Sequence, residues 1–379
     1  MNQKILFVGG TFDKTGGKPS KIVRQLAYGL YETVNGGSVA ELRDLVKSFD
    51  DYTPPTCHCR ALRPTYDAII WMPNISNDEE KLLPKIKKKS PHTVLISSKR
   101  NTQNKYSYVE LVDRALKSKS QLLIEISDSD SGLRFRLVDP LGNVSRIFFK
   151  GELQDFRDML YEKIQFLLRM KRIGSGNDAG YSHIDPPDKP QIDSKFLEAI
   201  TGYADKFHDL IHGENENPRF MGNVSFRCTK GGFPSQRNGD AIYVSRRNVD
   251  KRSLDAESFV AVAPHKICER WGGILYWGEH KPSVDTPIQI QLYDAFPKIN
   301  YMLHAHVYYK GATMTNRYVP CGDTREVAEV VNVVPNPKVR AKFAVNLKGH
   351  GCLIASAKVK DLLNLEDKFY ARPTPEETL

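Results

Sequence analysis

"MLHAHVYY", residues 302–309, sets two histidines one residue apart inside an apolar run. Side chains on a β-strand alternate between its two faces, so this stretch read as a strand puts His304 and His306 on one face. Leu303, Ala305 and Val307 take the other, which is the face a core would cover. Two imidazoles then point into one place. Taken alone the pair is equally well a pair of packed or surface histidines, so the reading turns on whether a third ligand exists.

Zinc in a catalytic site typically takes three protein ligands and leaves one position open. "FAVNLKGHGCLIAS" (343–356) offers the third: an apolar strand, His350 between two glycines at a turn, then another apolar strand. A histidine on such a turn is exposed enough to reach a metal. With His350 as a third candidate, the case for a metal over packed histidines at His304 and His306 is stronger. "CHC" at 57–59 lacks a second ligand pair at any standard spacing and reads as incidental.

At 379 residues the chain exceeds the usual single-domain range, and its 40% hydrophobic content suffices for two cores. The 55 Lys and Arg against 45 Asp and Glu give a net charge of +10 and a pI near 9.1, which favours anionic partners such as phosphates and nucleotides. The excess is diffuse, and its clearest run, "KIKKKS" (85–90), reads as a solvated helix face. Nucleic acid is therefore not the expected partner. Six scattered cysteines, an N-terminus without a charged leader and apolar stretch, and no apolar segment near the roughly 20 residues that span a bilayer predict a reduced, cytoplasmic protein with no membrane partner.

Along the chain, "KILFVGG" (4–10) reads as a strand stopped by glycines, and "SKIVRQLAYGLYETV" (20–34) has helical spacing with Ser20 as N-cap. "YDAIIWMP" (66–73), "HTVLISS" (92–98) and "QLLIEIS" (121–127) read as further strands, with "NDEEKLLPKIKKK" and "YVELVDRALKSK" as intervening helices. This alternation predicts a doubly wound, Rossmann/flavodoxin-like, largely parallel sheet. "LRFRLVD" and "VSRIFFK" flank "PLGN" as a hairpin, and "GELQDFRDMLYEKIQFLLRMKR" is a long amphipathic helix closing the unit. The Gly-, Pro-, Ser- and Asp-rich stretch that follows is the best linker in the chain. The predicted division is 1–172, a linker at 173–190, and 191–379, with the tail "ARPTPEETL" solvated.

Ligands of open α/β sheets bind at the carboxyl ends of the strands, which directs attention to "GGTFDKTGGKPS" (9–20). Gly9, Gly10, Gly16 and Gly17 would supply backbone amides to an anion there, with Lys14 and Lys18 as added charge. The stretch is neither G-x-G-x-x-G nor a Walker A sequence, so a nucleotide or sugar-nucleotide cradle and a plain connecting loop both remain open.

From about 218 to 365, some two-fifths of the chain, the order of segments resembles the class II aldolase/adducin family. The segments are "GNVSFR" (222–227), "YVSRRNVDKRSLDAESFVAV" (243–262), "KPSVDTPIQIQLYDAFPKINYMLHAHVYY" (281–309), "VPCGDTREVAEVV" (319–331) and "NLKGHGCLIAS" (346–356). The resemblance implies an α/β/α sandwich around a mainly antiparallel sheet, assembled as a homo-oligomer, commonly a tetramer with active sites between subunits. It also implies that His304, His306 and His350 bind a divalent metal, usually zinc. A metal with an open position can chelate the carbonyl and hydroxyl oxygens of a ketose and stabilise the enediolate formed when a C–C bond breaks.

The family's proton-moving glutamate corresponds to Asp285, a carboxylate one methylene shorter. Asp285 reads as acid/base or as an N-cap before "TPIQIQLYDAF". For the substrate phosphate the family uses the asparagine of its "GN(V/I)S" motif, kept as Asn223, and a Ser/Thr-Gly turn in which Asn248 stands where the family has glycine. Asparagine tolerates positive φ better than most residues. Ser283 remains of a serine pair whose second member is Val284. Arg246 and Arg247 offer paired donors to phosphate, or are surface arginines. The resemblance favours a zinc-dependent lyase, with dehydration or epimerisation also open, acting on a sugar-phosphate or nucleotide-linked anion. The alternatives are a non-catalytic, adducin-like oligomerisation module and a nucleotide- or sugar-nucleotide-binding transferase whose chemistry lies in the N-terminal domain.

Overall fold

The computed structural model describes residues 5–10, 20–27, 32–35, 66–73, 79–89, 93–130, 132–174, 180–181, 192–212, 221–228, 241–268, 273–372 and 376–379. The chain divides into two compact units, Met1–Lys171 together with Thr374–Leu379, and Arg172–Pro373.

The first unit runs β1 (Ile5–Gly10), α1 (Lys21–Ala27), β2 (Glu32–Asn35), β3 (Ala68–Pro73), α2 (Glu79–Lys89), β4 (Val94–Asn101), α3 (Tyr108–Lys117), β5 (Leu122–Ser129), β6 (Gly132–Val138), β7 (Asn143–Val144), β8 (Phe148–Phe149) and α4 (Leu153–Gly174). The strand order β2-β1-β3-β4-β5 is parallel throughout, and β6 then returns antiparallel to β5. Both faces of these strands are covered, as continuous apolar runs require. Ile5 and Phe7 pack with Ile22, Val23 and Leu26 of α1 and with Phe156, Leu160, Ile164 and Leu168 of α4. The alternate residues Leu6 and Val8 pack with Leu83 and Ile86 of α2.

The expected hairpin is present, its return arm broken into β7 and β8, which both pair with β6. One expectation is corrected. "ETV", read as the end of a helix, lies in β2, where Thr33 and Val34 stand beside Phe7 and Val8 of β1. β-branched side chains favour the pleated neighbour over a helical turn.

The second unit runs β9 (Gly180–Tyr181), α5 (Ser194–His212), β10 (Asn223–Cys228), β11 (Ala241–Ser245), β12 (Phe259–Cys268), β13 (Gly273–Trp277), α6 (Thr286–Ala295), β14 (Tyr301–Ala305), β15 (Tyr308–Tyr309), β16 (Thr313–Met314), α7 (Arg325–Val333), β17 (Lys342–Leu347), β18 (Gly351–Ser356) and β19 (Phe369–Tyr370). Its sheet, β16-β17-β18-β14-β10-β11-β12-β13-β9, is antiparallel except at its two outermost pairs. α5 covers one face through Phe196, Ile200 and Tyr203, against Leu303, Ala305 and Val307. On the other, Ile288 and Leu292 of α6 and Val330 of α7 pack with Met302 and Leu353. The alternation read in 302–309 therefore separates two faces, one filled by α5 and the other carrying His304.

The tail is not merely solvated. β20 (Glu376–Glu377) adds to β7 in parallel register, and Leu379 packs against the core of the first unit. No helix among the described residues is long and apolar enough to cross a membrane.

Candidate metal centre

Asn223 opens β10 and stands directly opposite His304 of β14. Facing residues of an antiparallel pair project to the same side, so the amide and the imidazole share a face. His306 follows the end of β14 by one residue, and His350 ends the turn before β18, which pairs with β14 on its other edge. The backbones meet closely here. A Cβ on Gly351, at φ +153°, would lie 2.1 Å from the Ala305 carbonyl oxygen and 2.7 Å from the His306 Cα. A Cβ on Gly222, at φ +78°, would lie 2.5 Å from the His304 carbonyl oxygen. These two glycines permit the approach that puts Asn223 and His350 beside the H-x-H strand. Gly351→Ala is accordingly expected to lower stability by about 1–3 kcal/mol, read as a shift of the urea midpoint. An unshifted midpoint would mean the backbones separate freely.

The three rings meet, with centroids 4.6 Å apart for His304 and His350 and 5.0 Å for each of the other two pairs. One candidate ligand atom from each falls within 4.8 Å of the others. All three are buried, at 5%, 8% and 0% exposure for His304, His306 and His350. This corrects the expectation that the glycine turn exposes His350. The His350 Nδ1 is instead engaged at 2.7 Å by Glu326 Oε1, a buried carboxylate in α7.

His304 Nδ1 contacts the Cys352 carbonyl oxygen at 2.9 Å. A carbonyl only accepts, so Nδ1 carries the proton and Nε2 keeps a free lone pair. Burial, reinforced by His350, pushes the His304 pKa down to about 4, with Asp285 opposing. Burial likewise holds His306 well below its ordinary value, and His304 and His350 add to the effect. Both rings are neutral at neutral pH, the form that ligates a metal. Burial also disfavours charge on His350, but Cys321 and Glu326 outweigh it and hold its pKa well above the ordinary value.

His304 Nε2 and His306 Nδ1 are buried without a hydrogen-bond partner among the described residues. An unsatisfied buried polar atom costs about 1–3 kcal/mol. Two of them, on clustered imidazoles, fit a site for a cation, which would relieve that cost.

Asp285 occupies the N-cap position of α6, but its side chain makes no capping bond. Its Oδ2 accepts from Asn223 Nδ2 at 2.9 Å and lies 3.9 Å from His304 Nε2, while Oδ1 is buried and unpartnered among the described residues. Asn223 is held in turn by Gln289 of α6, whose amide donates to its Oδ1. Ser283 accepts from the Asp285 N–H at 3.3 Å and so shapes the turn beneath the carboxylate.

Arg246 is half-buried, whereas Arg247 and Asn248 are exposed. Asn248 adopts φ 58°, a conformation asparagine tolerates better than most residues. Partial desolvation lowers the Arg247 pKa against the pull of Asp285. Desolvation lowers half-buried Lys251 to about 8, with Asp250 and Asp285 opposing. Arg372, which donates to the Gly349 carbonyl, contributes to the depression of His306. Three cations thus lie within electrostatic range of Asp285 or the histidines. In the first unit, Gly9 and Gly10 are the last residues of β1, in register with Met72 and Pro73, while Gly16, Gly17, Lys14 and Lys18 lie outside the described residues, as do Cys57 and Cys59.

Sequence reasoning missed Glu326, Gln289, Cys321, Lys251 and Arg372. Glu326 left a trace, because it stands one helical turn before buried Val330 and shares its face. Metal-ligating histidines usually give their other ring N–H to such a carboxylate, and its loss typically costs 10- to 100-fold in metal affinity. Glu326→Gln is expected to weaken metal binding by about that factor in a chelator-competition titration. Unchanged affinity would reduce Glu326 to a packing role.

A family model described as class II aldolase and adducin N-terminal domain matches residues 206–365. Among solved structures, the chain is similar to the N-terminal class II aldolase domain of a conserved protein from Thermoplasma acidophilum, at 15% identity over 50% of this chain and 93% of that one, with a TM-score of 0.33. It is also similar to L-fuculose-1-phosphate aldolase from Thermus thermophilus, at 15% identity over 46% and 87% with a TM-score of 0.30. The DNA/pantothenate metabolism flavoprotein from Streptococcus pneumoniae matches at 16% identity over 43% and 99%, with a TM-score of 0.30. No curated protein matches the chain. The C-terminal part of this chain, residues 206–365, is a class II aldolase/adducin domain.

Proposed function

We propose that residues 191–379 form a zinc-dependent lyase of the class II aldolase type, acting on a sugar-phosphate or nucleotide-linked anion. His304, His306 and His350 hold the metal, and Asp285 is the acid/base. The observation that carries this reading is the cluster of three buried imidazoles, two with unpartnered ring nitrogens, beside a carboxylate that keeps one oxygen unpartnered. A divalent metal bound there supplies Lewis acidity toward the carbonyl and hydroxyl oxygens of a substrate.

The protein's own residues do the rest. Asn223 holds Asp285 Oδ2, which leaves Oδ1 to take or return the substrate proton. Arg246, Arg247, Asn248 and Ser283 line the anion subsite, and Lys251 and Arg372 add positive potential that draws an anionic substrate inward. The unit assembles as a homo-oligomer, a tetramer by resemblance to the family, and the protein is cytoplasmic. Residues 1–172 are a Rossmann/flavodoxin-like domain joined through a linker at 173–190. The order β2-β1-β3-β4-β5 supports that assignment.

A second reading places ligand binding in the first unit. It is favoured by a cavity of about 110 Å3 lined by Ser20, Met72, Pro73, Ser98, Lys99 and Arg100, at the carboxyl ends of β3 and β4. With Gly9 and Gly10 at the end of neighbouring β1, this is where a nucleotide or sugar nucleotide would sit.

The deciding experiment measures metal content and the cleavage of phosphorylated ketoses by the full-length protein, before and after chelation. Near-stoichiometric divalent metal, with aldehyde released only by the loaded protein, supports the lyase. Absence of metal after reconstitution would make the aldolase-type unit a scaffold.

A further inference from the structure

Among the described residues, Cys321 is the one sulfur in the metal cluster. We propose that its thiolate is a ligand of the bound metal, adding one sulfur to the three histidines in a set that expands to five-coordinate when substrate binds. The inference rests on the metal reading above and adds to it a donor.

The geometry begins with His350. Its Nδ1 is committed to Glu326, so Nε2 is the nitrogen left for a metal, and Cys321 Sγ lies 3.0 Å from that Nε2. Donor atoms of Asp285, Cys321 and His350 also fall within 4.8 Å of one another, which joins the sulfur to the space shared by the three imidazoles. Sulfur and nitrogen sharing a tetrahedral zinc stand about 3.5 Å apart, given Zn–S and Zn–N bonds of about 2.3 and 2.0–2.1 Å. Roughly half an ångström of parting accommodates an ion. Independent of the cysteine, His304 Nε2 and His306 Nδ1 are buried and unpartnered in the same cluster.

The segment that carries Cys321 is pinned. Gly322 takes φ +79°, the Asp323 N–H donates to the Pro320 carbonyl at 3.1 Å, and the Asp323 carboxylate accepts from the Arg325 backbone and guanidinium. Cys321 is a free thiol. On metal binding its S–H bond breaks, the proton leaves to solvent and the sulfur electron pair forms the bond to the cation. Asp285 is the rival donor, but Asn223 holds its Oδ2, and its distance to the nearest histidine nitrogen recorded is 3.9 Å. A thiolate in the set selects zinc or cobalt over magnesium or manganese.

Cobalt(II) is the probe, because thiolate ligation gives a sulfur-to-cobalt charge-transfer band in the near ultraviolet, apart from the visible bands of the ion itself. Full-length protein is stripped with chelator and reloaded, beside Cys321→Ser and Cys321→Ala. The expected result is the charge-transfer band in the wild type and its loss in both variants. Visible cobalt bands persist in the variants, and affinity falls by at least the roughly 10- to 100-fold that loss of an outer-shell partner costs. Visible bands without charge transfer in the wild type overturn the Cys321 ligand and leave the three-histidine site standing, as does a charge-transfer band that survives in a folded variant. Failure of the wild type to take up cobalt overturns both readings.

Discussion

Asp285→Asn is expected to keep its metal and lose turnover by about 100- to 10,000-fold, the usual worth of a positioned acid/base. The substitution preserves the shape of the side chain and leaves an oxygen that still accepts from Asn223 Nδ2, a contact now 2.9 Å long. It removes the ability to accept a proton. The carboxylate stands beside the imidazoles and not among solvated surface charges, with Oδ1 unpartnered and Oδ2 3.9 Å from His304 Nε2. Elemental analysis and turnover of phosphorylated ketoses, the substrate class proposed above, are measured together on wild type and variant. Undiminished turnover would return Asp285 to a role in ordering the start of α6.

The second large effect is expected from His304→Ala/His306→Ala, in which metal content falls from near-stoichiometric to background while the fold persists. The hydrogen bond of the pair that the structure records is His304 Nδ1 to the Cys352 carbonyl, whose loss costs about 1–3 kcal/mol. Against this, the substitution removes two unpartnered buried nitrogens. The apolar residues of the same strand, Leu303, Ala305 and Val307, stay packed under α5 and keep β14 in place. Circular dichroism and elemental analysis decide the matter. An unfolded variant would support two packed core histidines, and a folded variant with its metal intact would put the metal elsewhere.

The two effects separate because α6 and β14 supply different parts. The strand brings the imidazoles, and the helix start brings the carboxylate; Asn223, opposite His304 on β10 and bonded to Asp285, couples them.

What the sequence by itself determined was local. The period of two in 302–309 put His304 and His306 on one face and the apolar residues on the other, because strand alternation needs no knowledge of the rest of the chain. The glycines around His350 were legible as a turn, and the alternating strands and helices before residue 130 as a parallel sheet. Other features were decided only where distant segments meet. Thr33 and Val34 became strand because β1 was available beside them. The tail became ordered because β7 offered an open edge. Buried His350 finds its partner in Glu326, which is 24 residues away in sequence and 2.7 Å away in space. Cys321 and Gln289 entered the site in the same manner, through contacts with His350 and Asn223 that no spacing encodes. Short-range periodicity is written in neighbouring residues, whereas the partners of a buried polar group are set by which elements the tertiary packing presses together.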